Sequence, residues 1–98
     1  MKLITLATLA AMNVHVEPPP AKYDYPPQQP YKVYVLPIEQ VQKKCHITDK
    51  RLLGCVPIEV LLLKPVAEVY IRNDLDKELF EVVLDHELAH INGWRHDK

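Results

Sequence analysis

Three histidines and a glutamate near the end of this 98-residue chain have the types and spacing to hold a metal ion and use it. They are His86, Glu87, His90 and His96. The first three form the pattern His-Glu-x-x-His. On an α-helix, four residues advance about 400°, so His86 and His90 stack one turn apart and both imidazoles can point at a single ion. Glu87 lies about 100° around from His86 and about 60° from His90, within reach of water beside the ion without becoming a ligand. Zinc suits this set. It takes imidazole nitrogen and lowers the pKa of its water, and a neighbouring carboxylate can take that proton and later deliver it to a leaving amine. Two ligands hold zinc weakly, so a third is needed. Gly93 follows His90 by three residues and His96 follows it by six. In an unbroken helix His96 would lie about 9 Å beyond His90 along the axis. A glycine lets the helix stop and the chain fold back, which brings His96 to the ion from the side. The expected site is therefore His86, His90 and His96 on Zn2+, with Glu87 as general base. His46, beside Cys45, and Asp97 stand as substitutes for His96.

By average composition, a His-Glu-x-x-His match arises by chance in roughly one per several hundred chains of this length, and the added glycine and third histidine make it several hundred-fold rarer. The competing readings are packed core histidines, a surface charge cluster, or a structural zinc site. The last would make the chain a non-catalytic, zinc-stabilised binding or adaptor module. The catalytic reading is hydrolysis of peptide bonds in a protein or a cell-wall peptide, either broadly or as a toxin or regulator that cleaves one partner.

These residues require a helix, and the sequence supplies one. Asn73-Asp74-Leu75-Asp76 offers turn and capping residues, with either Asp74 or Asp76 as N-cap. Glu78 then favours the positive end of the dipole. The helix runs to about Ile91 or Asn92, and Gly93 ends it by permitting positive φ. Its apolar positions cover more than one stripe, which predicts a largely buried element. Upstream, Ala67 to Arg72 reads as a strand. Val33 to Leu36 is a short strand stopped by Pro37, and Ile38 to Lys44 a helical turn or short helix. Asp49-Lys50 reads as a turn. Arg51 to Val56 reads as a strand in which Gly54 marks a bulge or a close approach of backbone. Ile58 to Leu63 is strongly apolar, bounded by Pro57 and Pro65. The expected fold is α+β, a minimal domain over residues 31–98 with a small sheet packed on a long C-terminal helix. Residues 17–30 hold six prolines (Pro18, Pro19, Pro20, Pro26, Pro27 and Pro30) and form a linker or an arm laid over the domain, anchored by Tyr23, Tyr25 and Tyr31.

The remaining features bound the answer. The length allows one domain with a modest core. A hydrophobic fraction of 48%, a charged fraction of 26% and a net charge of -1 fit a globular domain and argue against nucleic acid as a partner. Lys43-Lys44 and Lys50-Arg51 are too short for a basic stripe. Glu68 to Glu87 leans acidic, as a solvated helix face does. Cys45 and Cys55 either close a small loop, if their Cα atoms come within about 4.4–6.8 Å, or remain buried thiols. Residues 1–16 open with Met1-Lys2 and an apolar run from Leu3 to Met12. That is too short to span a bilayer and reads as a secretory signal or an N-terminal strand. Cytoplasmic and exported locations both remain open.

The stretch HELAHINGWRH resembles the long zinc signature of the metzincin metallopeptidases. That resemblance implies His86, His90 and His96 as zinc ligands and Glu87 as the general base. The His96-Asp97 ending looks like that of small secreted snapalysin-type enzymes. The run DLDKELFEVVLDHELAHINGW is more similar still to short metallopeptidases of bacteriophages and bacterial mobile elements. The resemblance covers roughly residues 69–97. It departs from the metzincin pattern in two respects: no methionine-bearing turn follows His96, the two methionines being Met1 and Met12, and a full metzincin domain is larger. It further implies that a strand before the active helix, here Ala67 to Arg72, pairs with an extended substrate. Trp94 is either core or cleft wall, Tyr70 is packing, and Arg95 is a candidate aid to transition-state charge.

Overall fold

A computed structural model describes residues 16–96. The apolar run from Leu3 to Met12 and the alternative ligand Asp97 lie outside the described residues.

The sheet is built around β3 (Ala67–Arg72), whose residues are buried except for the half-buried Glu68. β1 (Tyr31–Leu36) pairs with it in parallel, from Tyr31 opposite Ala67 to Leu36 opposite Arg72. Pairing starts directly after the last proline of the arm: the Pro30 carbonyl accepts from the Ala67 N–H at 2.9 Å. The strand therefore begins two residues earlier than the β-branched run alone suggests. β2 (Gly54–Cys55) pairs antiparallel on the other side, giving the order β1-β3-β2. The strand expected over Arg51 to Val56 is thus reduced to two residues. On its N-terminal side Arg51 is held in a turn, its N–H and guanidinium both bonded to the Asp49 carboxylate. On the other side Pro57 has no N–H to give.

Parallel strands need a crossover. Here it carries two helices. α1 (Ile38–Cys45) starts after Pro37 and buries Val41 completely. It ends on His46 at φ 57°, whose N–H bonds the Gln42 carbonyl. α2 (Ile58–Leu63) fits between Pro57 and Pro65, with Leu61 in the core and Leu62 and Leu63 in solvent. The apolar stretch is thus a short helix with one inward face. A disulfide joins Cys45 at the end of α1 to Cys55 in β2, with the Cα atoms 6.0 Å apart.

α3 (Lys77–Ile91) is the long C-terminal helix. Asp76 caps it, its carboxylate accepting from the Leu79 N–H at 2.8 Å. Leu79, Val83 and Ile91 pack with Leu53, Leu61, Val69 and Ile71 into one core cluster. Phe80, Leu84 and Leu88 are half-buried, so the helix covers one face of the sheet and is not enclosed on all sides. Gly54 permits this packing. A Cβ there would come 2.6 Å from the Tyr70 carbonyl and 3.4 Å from Val83, so the glycine marks a close approach of backbone. Arg72, buried at the end of β3, binds Asp74 through two nitrogens and the Lys50 and Leu52 carbonyls through a third. It clamps the loop before β2 to the start of α3. No helix among the described residues is long and apolar enough to cross a membrane.

Candidate metal centre

α3 presents His86 and His90 on the side that faces β2, one turn apart. The chain then reverses through a Schellman arrangement: the Gly93 N–H bonds the His90 carbonyl at 3.1 Å, and the Trp94 N–H bonds the Ala89 carbonyl at 3.2 Å. Gly93 takes φ 112°, a conformation L residues rarely adopt. The reversal returns His96 over the helix end. Its Nε2 lies 3.3 Å from His86 Nε2 and 3.1 Å from His90 Nε2. One ligand atom from each of the three residues falls within 4.8 Å of the others.

Those spacings fit a zinc ion. Three nitrogens about 2.0–2.1 Å from one centre at tetrahedral angles stand about 3.3 Å apart. The other edges of the rings agree. His86 Nδ1 lies 2.7 Å from the Glu17 carbonyl and His90 Nδ1 lies 2.8 Å from the Trp94 carbonyl. A carbonyl oxygen only accepts, so each Nδ1 carries the proton and each Nε2 keeps its lone pair. Burial depresses both pKa values, that of His90 to about 4, so the rings are neutral at pH 7. Neutral imidazole with a free Nε2 is the ligating form.

Trp94 is buried against all three imidazoles. Its ring stacks on His90 at 4.8 Å and meets His86 and His96 at 4.8 and 4.7 Å. It belongs to the core and supports the ligands at the same time. Arg95 donates to the His90 and Trp94 carbonyls, which also accept from the Gly93 N–H and from His90 Nδ1, and so braces the reversal. His46 stands apart from the cluster, 3.7 Å from Glu59, so it does not replace His96. Tyr70 donates to Glu68 and stacks on Tyr34, a packing role.

Glu87 is 6% exposed. Burial alone raises its pKa to about 8, so it is largely protonated at pH 7 in the metal-free protein. It lines, with the three histidines, a groove of about 490 Å³ whose opposite wall is Gly54, Cys55, Val56, Ile58 and Leu61. That wall includes β2, which lies at the edge of the sheet. β1 pairs with β3 along its whole length and β2 pairs with its other edge at Tyr70 and Ile71, so those positions of the strand expected to pair with substrate are already taken.

The sequence reading did not single out Glu17. One carboxylate ahead of three prolines carries no spacing signal, and only the folded arm brings it to the histidines. No family model matches this chain, and no curated protein or solved structure shows significant similarity to it.

Proposed function

We propose that this chain is a zinc-binding domain whose metal centre hydrolyses peptide bonds in a protein or cell-wall peptide, with His86, His90 and His96 as ligands and Glu87 as general base. The observation that carries it is the approach of His96 Nε2 to within 3.3 Å of the other two Nε2 atoms, beside a groove that Glu87 also lines. Zinc held there would supply a Lewis acid for the scissile carbonyl and acidify water. The remaining steps fall to the chain. Glu87 takes the proton from water and returns it to the leaving amine. Its placement in a dry wall favours this, because burial raises its pKa and a cation held by the histidines would lower it again. The outer edge of β2 offers backbone groups to an extended peptide, which gives affinity with little sequence preference. Val56, Ile58 and Leu61 make that wall apolar.

The histidine geometry supports metal binding more directly than hydrolysis. It carries a second reading with no further step: a zinc-stabilised module that binds a partner and cleaves nothing. Glu87→Gln separates the two. In the hydrolytic reading the variant holds one zinc per chain with native affinity and loses at least 100-fold of its activity on an unfolded protein substrate. A native protein that carries zinc and cleaves neither unfolded protein nor cross-linked wall peptide leaves the module reading standing. For either reading, His96→Ala should weaken zinc binding 100-fold or more, read by chelator competition.

A further inference from the structure

The Pro-rich arm crosses the face of the molecule that carries the metal centre, and it does more there than link. Asn92 donates its side-chain amide to the Tyr23 and Tyr25 carbonyls at 2.8 and 2.7 Å, which fixes the arm to the end of α3. Val16 packs on the core cluster. Between these anchors, Glu17 meets two of the three imidazoles on the edges away from the shared centre. Its main-chain carbonyl lies 2.7 Å from His86 Nδ1, and its carboxylate lies 3.5 Å from His96 Nδ1. His90 has its own acceptor in the Trp94 carbonyl. Every ring in the cluster therefore has an oxygen behind it, and two of the three oxygens come from one residue 69 positions before His86.

We infer that Glu17 is a positioning residue of the metal centre and that the arm is an integral part of that centre. The inference rests on zinc binding at His86, His90 and His96; it does not require hydrolysis. A carbonyl hydrogen-bonded to Nδ1, as at His86, holds the imidazole in the tautomer that frees Nε2, fixes the ring's rotation and raises its basicity as a ligand; at His96 the carboxylate stands at 3.5 Å, an ion-pair distance, and acts through its charge. Two of the ligands sit on a rigid helix. His96 does not: it follows a reversal, and its side chain is 50% exposed. It is the ligand with most to gain from an external brace, and the Glu17 carboxylate is placed to provide one. Its negative charge also offsets the dication that three neutral imidazoles leave uncompensated. Pro18, Pro19 and Pro20 serve the same end. A proline restricts the residue before it to extended backbone, so Pro18 holds the Glu17 carbonyl in the orientation His86 needs.

The test uses the full chain. Zinc affinity is measured by competition with a chromophoric chelator, and the ligand field is read from the visible spectrum of the cobalt-substituted protein. Glu17→Ala should weaken zinc binding by about tenfold or more and shift the cobalt bands. Glu17→Gln, which keeps an acceptor oxygen, should recover part of that loss. Pro18→Gly retains both Glu17 groups but releases the backbone that orients the carbonyl; it should cost about two- to fivefold. Thermal unfolding of the metal-free Glu17 variants should change little, because the Glu17 side chain is 58% exposed and its ion pair with His96 stands at the surface. Native zinc affinity and an unchanged cobalt spectrum in Glu17→Ala overturn the inference. So does an affinity loss that is matched by an equal loss of metal-free stability. A native chain that binds no zinc overturns the metal centre itself, which is a different result.

Discussion

At the scale of single residues, the centre combines groups whose burial opposes their charge. Glu87 is an acid in a dry wall with a pKa near 8, above its ordinary 4.5, and His90 is a base held near 4, below its ordinary 6.5. The two make opposite contributions to the stability of the metal-free protein. A raised acid contributes stability that is complete below about pH 4.5 and is lost as pH rises through 8. A depressed histidine contributes stability that is complete above about pH 6.5 and is lost as pH falls through 4. His86, also depressed, acts in the same direction as His90. Between those limits the slopes oppose, and above pH 6.5 only Glu87 still changes. Metal-free protein should therefore be most stable near pH 6.5 and lose on the order of 2 kcal/mol by pH 8, at about 1.4 kcal/mol per pH unit. Glu87→Gln should remove that alkaline decline, as read by urea unfolding at pH 6.5 and 8 in the presence of chelator. An unchanged decline would mean that Glu87 is ionised and solvated in the folded chain.

At the scale of elements, the centre depends on two glycines, for different reasons. Gly93 is at φ 112°, where a Cβ is strained whatever the space around it. Gly93→Ala should cost about 1–2 kcal/mol, and should weaken zinc binding as well because the reversal that carries His96 is displaced. Gly54 has ordinary backbone but no room. A Cβ would meet the Tyr70 carbonyl, which cannot rotate away. Gly54→Ala should cost about 1–3 kcal/mol by pushing β2 off β3, and circular dichroism melts would detect it. Much of this was legible in the sequence. The helix from an Asp cap to its terminal glycine and the stacking of His86 over His90 follow from local rules of spacing and φ; at Gly54 the sequence left a bulge and a close approach open, and the fold decides for the latter. What was not legible depended on distant partners. The extent of β2 was decided by a turn at Asp49 and a proline at 57. The place of β3 between β1 and β2 depended on pairing with segments far along the chain. Glu17 met its histidines only because prolines stiffen the arm and Asn92 holds it down. Trp94 read as either core or wall, and in the fold it is core that also stacks on the ligands.

At the scale of the whole molecule, the described residues form three short strands and three α-helices around a cluster of eight buried side chains. A core of that size supplies only a few kcal/mol of net stability, and domains this small commonly add a disulfide or a metal. This one carries the first, and its three-histidine cluster is compatible with the second. The Cys45–Cys55 bridge closes a loop of about ten residues, worth about 2–3 kcal/mol. Zinc at a thousandfold excess over its dissociation constant would add about 4 kcal/mol. The two staples share no residue. One joins α1 to β2; the other joins the arm, α3 and the chain end. Distant, independent contributions add to within about 0.5 kcal/mol. Calorimetry on four samples, with and without chelator and with and without Cys45→Ser/Cys55→Ser, should therefore show two separable losses of melting temperature, each of about 4–8 °C per kcal/mol. One observation argues the other way and makes the experiment decisive. Cys55 lines the same groove as the histidines. If the bridge also holds that wall against α3, removing it will weaken zinc binding, and the combined loss will exceed the sum. Additivity would show that the metal centre is complete in the arm, α3 and the reversal at Gly93, with β2 serving only as the opposite bank.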